Sequence, residues 1–414
     1  METSPVIALF LALGIMIAAA RIAGTITRRF HQPRVLGELI VGVILGPTLL
    51  DLLHTSAFGL DQAHLEETIL ELAELGVLLL MFKVGLDVHL RELLEVGRVA
   101  GLAGVLGAVL PVAMTLPLGL AFNYSWEPAL FAGVTMAATS VSISAQVLLE
   151  LGVLRTKEGN ALLATALIDD VVAILLVSLA IAITGPEGSV APESLAFIVV
   201  RMAAYISIAF VVAWFALPRL IAWIHARPEA AHSFGVPAFA LVIALLFGWS
   251  AEYLGGVAPI TGAFIAGVGL SRARETIKRP IDDAVANIAY AFLVPIFFVS
   301  VGLQVDLSQF PLNALPFAGL LLLVAVASKL IGCGLGAIWG GFNRLEAIRL
   351  GVGMTSRGEV GLIIASLGLA RGVYEPDGPL FASLFLVILL TTVLTPPLVR
   401  RAFQSAEPQR AEGT

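Results

Sequence analysis

The stretch TALIDDVVAILLVSLAIAI (165–183) decides how this chain is read. It is apolar almost throughout, yet Asp169 and Asp170 stand side by side near its start. An aspartate at the centre of a membrane helix costs about 2.5–3.5 kcal/mol on insertion scales, and two charged neighbours roughly double that. A segment this apolar needs a reason to keep both.

Composition places the segment in a bilayer. Hydrophobic residues make up 58% of the 414 and charged residues 13%, with a mean hydropathy of +0.97. A soluble domain carries about 25% charged residues, so the composition is that of an integral membrane protein. Runs of about twenty apolar residues recur, each enough to cross about 30 Å of hydrocarbon as a helix. They lack the alternation of a membrane β-barrel. The single Cys333 excludes an internal disulfide and a cysteine-based metal site. The six histidines show no ligand spacing, and no GxxxxGK nucleotide loop occurs, so no cofactor and no nucleic-acid partner are expected. The start METSPVIALF lacks a basic region and reads as a retained helix, not a cleaved signal.

Turn and charge clusters divide the chain into thirteen apolar segments: 5–27, 35–53, 68–88, 98–122, 126–150, 157–184, 193–224, 234–254, 257–271, 283–304, 315–341, 345–371 and 379–400. Lys and Arg follow the odd-numbered segments, from Arg28 and Arg29 through Arg272, Arg274, Lys278 and Arg279 to Arg400, Arg401 and Arg410. Arg371, at the outer end of the twelfth, is the exception. The positive-inside rule then puts the N-terminus outside and the C-terminus, with a short tail at 403–414, in the cytoplasm.

Three pairs of stretches repeat in order. GELIVGVILGP (37–47) resembles GAFIAGVGLSR (262–272), MFKVGLDVHL (81–90) resembles FFVSVGLQVDL (297–307), and ATSVSISAQVLLELGVL (138–154) resembles MTSRGEVGLIIASLGLA (354–370). They fall in segments two and nine, three and ten, five and twelve. The expected fold is therefore all-α and polytopic: two inverted six-helix repeats, 5–184 and 234–400, joined by a linker helix at 193–224. That is the architecture of many secondary transporters.

Ionisable residues inside these segments are few. Asp169 and Asp170 lie mid-segment six, Lys329 mid-segment eleven, and Arg357 and Glu359 mid-segment twelve. Thr139, Ser140 and Ser142 hold the repeat-related place in segment five. Hydroxyls compete for backbone hydrogen bonds, and Gly353, Gly358 and Gly361 weaken segment twelve. Both segments are expected to break there; the alternative is continuous helices with Ser and Thr bonded back to their own turns. Broken ends expose amides and carbonyls that suit ions. Neighbouring helical residues differ by about 100° around the axis, so one aspartate can face a cavity while the other faces a packed neighbour, for which Lys329 is the candidate. A salt bridge that merely pins two helices would account for one Asp and the Lys, but not for the second Asp. A carboxylate that must hold either a proton or a hard monovalent cation suits an exchanger. An intramembrane aspartyl protease would need acids on two facing helices, and Asp87 is badly placed for that. A passive channel has little use for an inverted repeat around one acidic site.

Together GELIVGVILGP, AATSVSI, IDDV, SKLIGCGLG and TSRGEVGLI resemble the cation:proton antiporter superfamily, in particular the NapA-type sodium/proton antiporters of its second branch. The resemblance covers about residues 5–402. It implies an NhaA-like fold with two crossed broken helices, a core domain (98–184 and 315–400) and a dimer domain formed by the remaining helices. It also implies a homodimer in a prokaryotic inner membrane and an elevator-like movement of the core. On this resemblance Asp170 carries Na+ (or Li+) and H+, with Thr139 and Ser140 as further sodium ligands. Asp169 pairs with Lys329, and Arg357 and Glu359 form the polar pair of the second broken helix. Potassium/proton exchange on the same fold is the alternative. Lys83 departs from the family pattern; it reads first as an anchor at the cytoplasmic end, and the alternative is a pair with Asp87 one turn on. The sequence stops at Thr414 without a nucleotide-binding regulatory domain, unlike ligand-gated potassium systems.

Overall fold

In hydrocarbon every backbone N–H and C=O must be satisfied within its own segment, so long apolar runs fold as helices. The computed structural model describes residues 5–54, 64–88, 90–184, 192–227, 235–304, 306, 310–375 and 378–404. In order they form α1 (Pro5–Arg29), α2 (Arg34–Leu45), α3 (Leu65–Asp87), α4 (Leu90–Glu95), α5 (Gly97–Ala121), α6 (Trp126–Ala137), α7 (Val141–Glu150), α8 (Lys157–Thr184) and α9 (Pro192–Phe215). Then follow α10 (Leu217–His225), α11 (Gly235–Ser250), α12 (Pro259–Leu270), α13 (Glu275–Ile288), α14 (Val294–Leu303), α15 (Leu315–Gly340), α16 (Arg344–Gly353), α17 (Glu359–Ala370) and α18 (Pro379–Gln404). No strand occurs among the described residues. The predicted tail beyond Gln404 lies outside them.

Each of the thirteen predicted segments contains helix. By length and apolarity nine stretches among the described residues suffice to cross a membrane. The other four fall short for separate reasons. Helices α2 and α12 have only 12 residues each, and α3 carries Glu66, Glu67, Glu71, Glu74, Lys83 and Asp87. The twelfth segment divides into α16 and α17. Segment two was expected to run to residue 53, but α2 ends at Leu45, followed by extended Gly46 and then Pro47. A residue before proline is pushed out of the helical region. Pro218, in the first turn of α10, likewise marks where the linker segment breaks from α9.

The chain forms two compact units. One comprises residues 1–18, 55–95 and 192–300; the other comprises 19–54, 96–191 and 301–414. In the first, α12 packs against α3, α9 and α11. In the second, α15 lies along α5, which also packs on α6 and α8. The α5–α15 seam is made by Gly332, Gly336 and Gly340. A Cβ at these positions would stand 2.6 Å from the Leu106 carbonyl, 2.5 Å from the Ala103 backbone and 2.6 Å from Val99, respectively. Small residues let membrane helices approach this closely, and the seam leads straight to Lys329.

Candidate functional site

Asp169 and Asp170 sit in the middle of α8, and the rotation between neighbours gives them different surroundings. Asp169 is fully buried, whereas Asp170 is partly exposed. Lys329, in the middle of α15, is also fully buried, and its Nζ donates to Asp169 Oδ1 at 2.8 Å. The other Asp169 oxygen, Oδ2, has no hydrogen-bond partner among the described residues. One ammonium therefore meets one of two carboxylate oxygens in a low-dielectric interior. Such a pair gains from its Coulomb attraction only what desolvation leaves, and breaking it strands a buried charge.

The two hydroxyl-rich segments are both interrupted. Between α6 and α7 the chain passes through Ala138, Thr139 and Ser140 in non-helical conformations. Between α16 and α17 it passes through Met354 to Gly358. The two breaks meet. Ser140 N donates to Ser356 O at 3.0 Å, and Ser356 Oγ donates back to Ser140 O at 2.5 Å. Ser144 Oγ donates at 2.5 Å to Gly353 O, one of the carbonyls that the end of α16 leaves without an intrahelical donor. Gly358 is required by this approach: a Cβ there would stand 2.9 Å from Ser140 Cβ and Oγ.

Thr139 and Ser142 lie at the same crossing. Thr139 is buried and its Oγ1 has no hydrogen-bond partner among the described residues. Ser142 Oγ is 3.0 Å from Ser140 Oγ. Neither Ser140, which precedes α7, nor Gly358, which precedes α17, caps its helix through a side chain. The first amides of both helices thus keep their positive partial charge.

Arg357 is the largest fully buried side chain in the described residues. Its fork is satisfied by carbonyls: Nε donates to Met136 at 3.0 Å, Nη1 to Thr355 at 2.8 Å and Nη2 to Ala325 at 2.8 Å. Met136 is in the last turn of α6, where the helix dipole favours a cation. Ala325 lies one turn before Lys329 on α15. A single guanidinium therefore joins both breaks to the helix that carries the lysine. The backbone carbonyl of Arg357 in turn accepts a short hydrogen bond from Thr392 Oγ1 of α18. Glu359, expected as its polar companion, opens α17, and its side chain lies outside the described residues.

Some residues at the site were not singled out in sequence. A Cβ on Gly107 of α5 would overlap Cys333 Sγ, and it would stand 3.7 Å from Asp169 Oδ1 and 3.8 Å from Lys329 Nζ. Gly107 and the thiol thus form one wall of the ion pair. The Gly spacing in SKLIGCGLG signals close packing, but not which helix supplies the partner. Ser144, Ser356 and Thr392 could have been flagged as hydroxyls deep in apolar runs. Lys83 bonds Asp87 at 2.5 Å, as the one-turn spacing suggested, and also lies 2.9 Å from Asp282 of α13.

Among the described residues no three His, Cys, Asp or Glu side chains cluster to hold a metal ion. The crossing itself offers hydroxyl and carbonyl oxygens, from Thr139, Ser140, Ser142 and the interrupted backbone, a hard set of low charge.

Known proteins resemble this arrangement along its whole length. The family described as "Sodium/hydrogen exchanger, transmembrane" matches residues 15–403. The Na(+)/H(+)-K(+) antiporter GerN of Bacillus cereus is 34% identical over 395 residues, covering 95% of this chain and 96% of that protein. A Na(+)/H(+) antiporter of Enterococcus hirae is 34% identical, with 94% and 96% covered. The solved structure of the sodium proton antiporter MjNhaP1 from Methanocaldococcus jannaschii at pH 8 covers 98% of each chain with a TM-score of 0.68 at 16% identity. That likeness speaks for the fold.

Proposed function

Since the chain belongs to the transmembrane sodium/hydrogen exchanger family, a family of multi-pass membrane transporters, we propose that it exchanges Na+ (or Li+) for H+ with Asp170 as the shared carrier. The observation that carries this reading is the contrast between neighbours. Asp169 is buried and engaged by Lys329, while Asp170 is partly exposed. A carboxylate in a poorly hydrated cavity is neutralised either by a proton or by a cation. The two occupants exclude each other, and that exclusion couples the fluxes.

Sodium at Asp170 would draw its remaining ligands from Thr139, Ser140 and the carbonyls of the crossing. The orphaned Thr139 hydroxyl supports this assignment. Lys329 and Asp169 supply the second ionisable element. If that pair also exchanges a proton during the cycle, transport moves net charge. Alternating exposure of Asp170 follows from an elevator-like movement of the core helices, in a thirteen-span inverted repeat with the N-terminus outside and a homodimeric assembly. Interruptions at repeat-related places in segments five and twelve, and the equal 12-residue lengths of α2 and α12, support the repeat.

The test is dissipation of a proton gradient in proteoliposomes on adding sodium, lithium or potassium, for the wild type and for Asp170→Asn. Sodium-dependent exchange that disappears in the variant supports both reaction and carrier. Exchange unchanged in Asp170→Asn overturns the carrier. The Bacillus cereus relative is named a Na(+)/H(+)-K(+) antiporter, which favours potassium/proton exchange as a second reading. A response to potassium alone would replace sodium by potassium as the cargo.

A further inference from the structure

On an exposed side of α9, the groove between this helix and α11 carries a charged residue that the proposed exchange does not use. Arg201 lies in the first half of α9, a helix that is otherwise apolar around it. Its Nε donates to Leu254 O at 2.6 Å and its Nη2 to Tyr253 O at 2.7 Å, at the turn that follows α11. The second terminal nitrogen, Nη1, takes part in neither bond. The ion pairs found among the described residues do not include Arg201.

An open groove of about 520 Å³ passes the guanidinium, from Phe197 one turn before it to Ala204, Ile208 and Val212 beyond it, with Phe247 and Leu254 on the other side. From Arg201 to Val212 is eleven residues of helix, or about 16 Å at 1.5 Å per residue. Half of a hydrocarbon core of about 30 Å is nearly the same length. Beside the guanidinium, Trp249 and Tyr253 stack with centroids 5.2 Å apart, and both are strongly exposed. Exposed Trp and Tyr in membrane helices mark the headgroup level. Three observations thus agree on one shape: a cation at headgroup height, an aromatic pair beside it, and an apolar trough about one leaflet deep.

We propose that this groove is a binding site for one anionic phospholipid, with the phosphate on Arg201 Nη1 and an acyl chain along α9 toward Val212. From the Lys and Arg distribution along the chain, α9 enters from the outside, so the lipid belongs to the outer leaflet. A zwitterionic lipid fits the trough equally well but brings no net charge to the guanidinium. The preference for an anionic headgroup is therefore the signature of the site.

The experiment uses the purified full chain in detergent with added phosphatidylglycerol or phosphatidylcholine. Native mass spectrometry reads retained lipid, and thermal unfolding reads stabilisation. Phosphatidylglycerol is expected to be retained as a single adduct and to raise the unfolding midpoint more than phosphatidylcholine does. Arg201→Gln is expected to weaken retention about tenfold, the loss of a charge-assisted hydrogen bond. Ala204→Phe fills the trough while keeping the guanidinium and is expected to abolish retention; it decides alone if Arg201→Gln does not fold. Equal effects of the two lipids, or retention unchanged in both variants, would overturn the proposal. So would sodium phosphate reproducing the stabilisation, since the site would then bind only a small anion. If Ala204→Phe instead reduces the assembly size measured by light scattering, the groove is a contact between copies of the chain and not a lipid site.

Discussion

Two lysines, one in each unit, show how differently the same ion pair can be built. Lys83 stands between two carboxylates, Asp87 at 2.5 Å and Asp282 at 2.9 Å, and the Asp282 side chain is 31% exposed. Lys329 meets a single oxygen of Asp169 at 2.8 Å, with essentially no exposure on either side. The first ammonium has two carboxylates, one of them partly exposed. The second has one partner, no exposed surface and an unpartnered carboxylate oxygen beside it. An over-supplied, partly exposed pair is a fastening. A minimally supplied, fully buried pair is poised, because any change in one member's charge must be answered by the other. The polar chemistry of the second unit centres on the poised pair.

The comparison breaks first at Lys329. Lys329→Met strands the buried Asp169 and is expected to lower stability by about 3–5 kcal/mol, read as a drop in unfolding midpoint. The double variant Lys329→Met/Asp169→Leu is expected to regain most of that loss, since apolar replacement of a buried pair is often neutral. If it also keeps voltage-sensitive exchange in proteoliposomes, the pair is only a fastening and the contrast with Lys83 collapses.

Arg357 comes next. Arg357→Gln leaves three carbonyls short of a charged donor, each such bond being worth about 1.5–3 kcal/mol. A stability loss and an exchange rate at least tenfold lower are expected. Arg357→Lys should fall between, because an ammonium cannot reproduce the planar fork. Equal behaviour of the two variants would mean that the planar fork, not the charge, is what the crossing requires; full recovery in Arg357→Lys would mean the reverse.

Smaller again is Gly107→Ala, whose methyl overlaps the Cys333 sulfur. Overpacking of this kind costs about 1–3 kcal/mol. Cys333→Ala in the same chain removes the overlap, so the double variant should recover both midpoint and exchange. A double variant no better than Gly107→Ala would show that the wall beside the ion pair is sensed through another atom. Lys83→Met should have the least effect on transport. Asp282 is 31% exposed, so a stability loss smaller than that of Lys329→Met and unaltered exchange are expected, and a tenfold fall in exchange would place the first unit inside the ion path.

Sequence arithmetic reached what lies within one helix. The divergence of Asp169 from Asp170 follows from the rotation per residue, and the Lys83–Asp87 pair follows from one turn. Lys329 could be matched to an aspartate because a buried ammonium must have a partner and few acids were at hand. The interruptions at Thr139–Ser140 and before Gly358 could be anticipated from hydroxyls and glycines deep in apolar runs. What escaped reading depends on which helices neighbour each other. Asp282 reaches Lys83 across about two hundred residues, and nothing in SKLIGCGLG names Gly107 as the surface its cysteine meets. Arg357 was recognised as a polar group of the crossing, but its three carbonyl partners carry no sequence signal, since every residue has a carbonyl. Arg201 was passed over because a lone arginine in an apolar run resembles a boundary residue. The expected length of α2 failed because its apolar run continues past the Gly46–Pro47 stop.

The seam between α5 and α15 also makes the chain its own timekeeper. Cys333 is the only thiol in 414 residues and is fully buried beside the Lys329–Asp169 pair. No background of other cysteines needs to be removed before it is labelled. A small maleimide or a methanethiosulfonate can reach the sulfur only when the seam parts. The labelling rate of the unaltered protein is thus a clock for that opening. Running it with and without sodium or a proton gradient would tell whether the wall beside the ion pair stays closed through the transport cycle or opens once per turn.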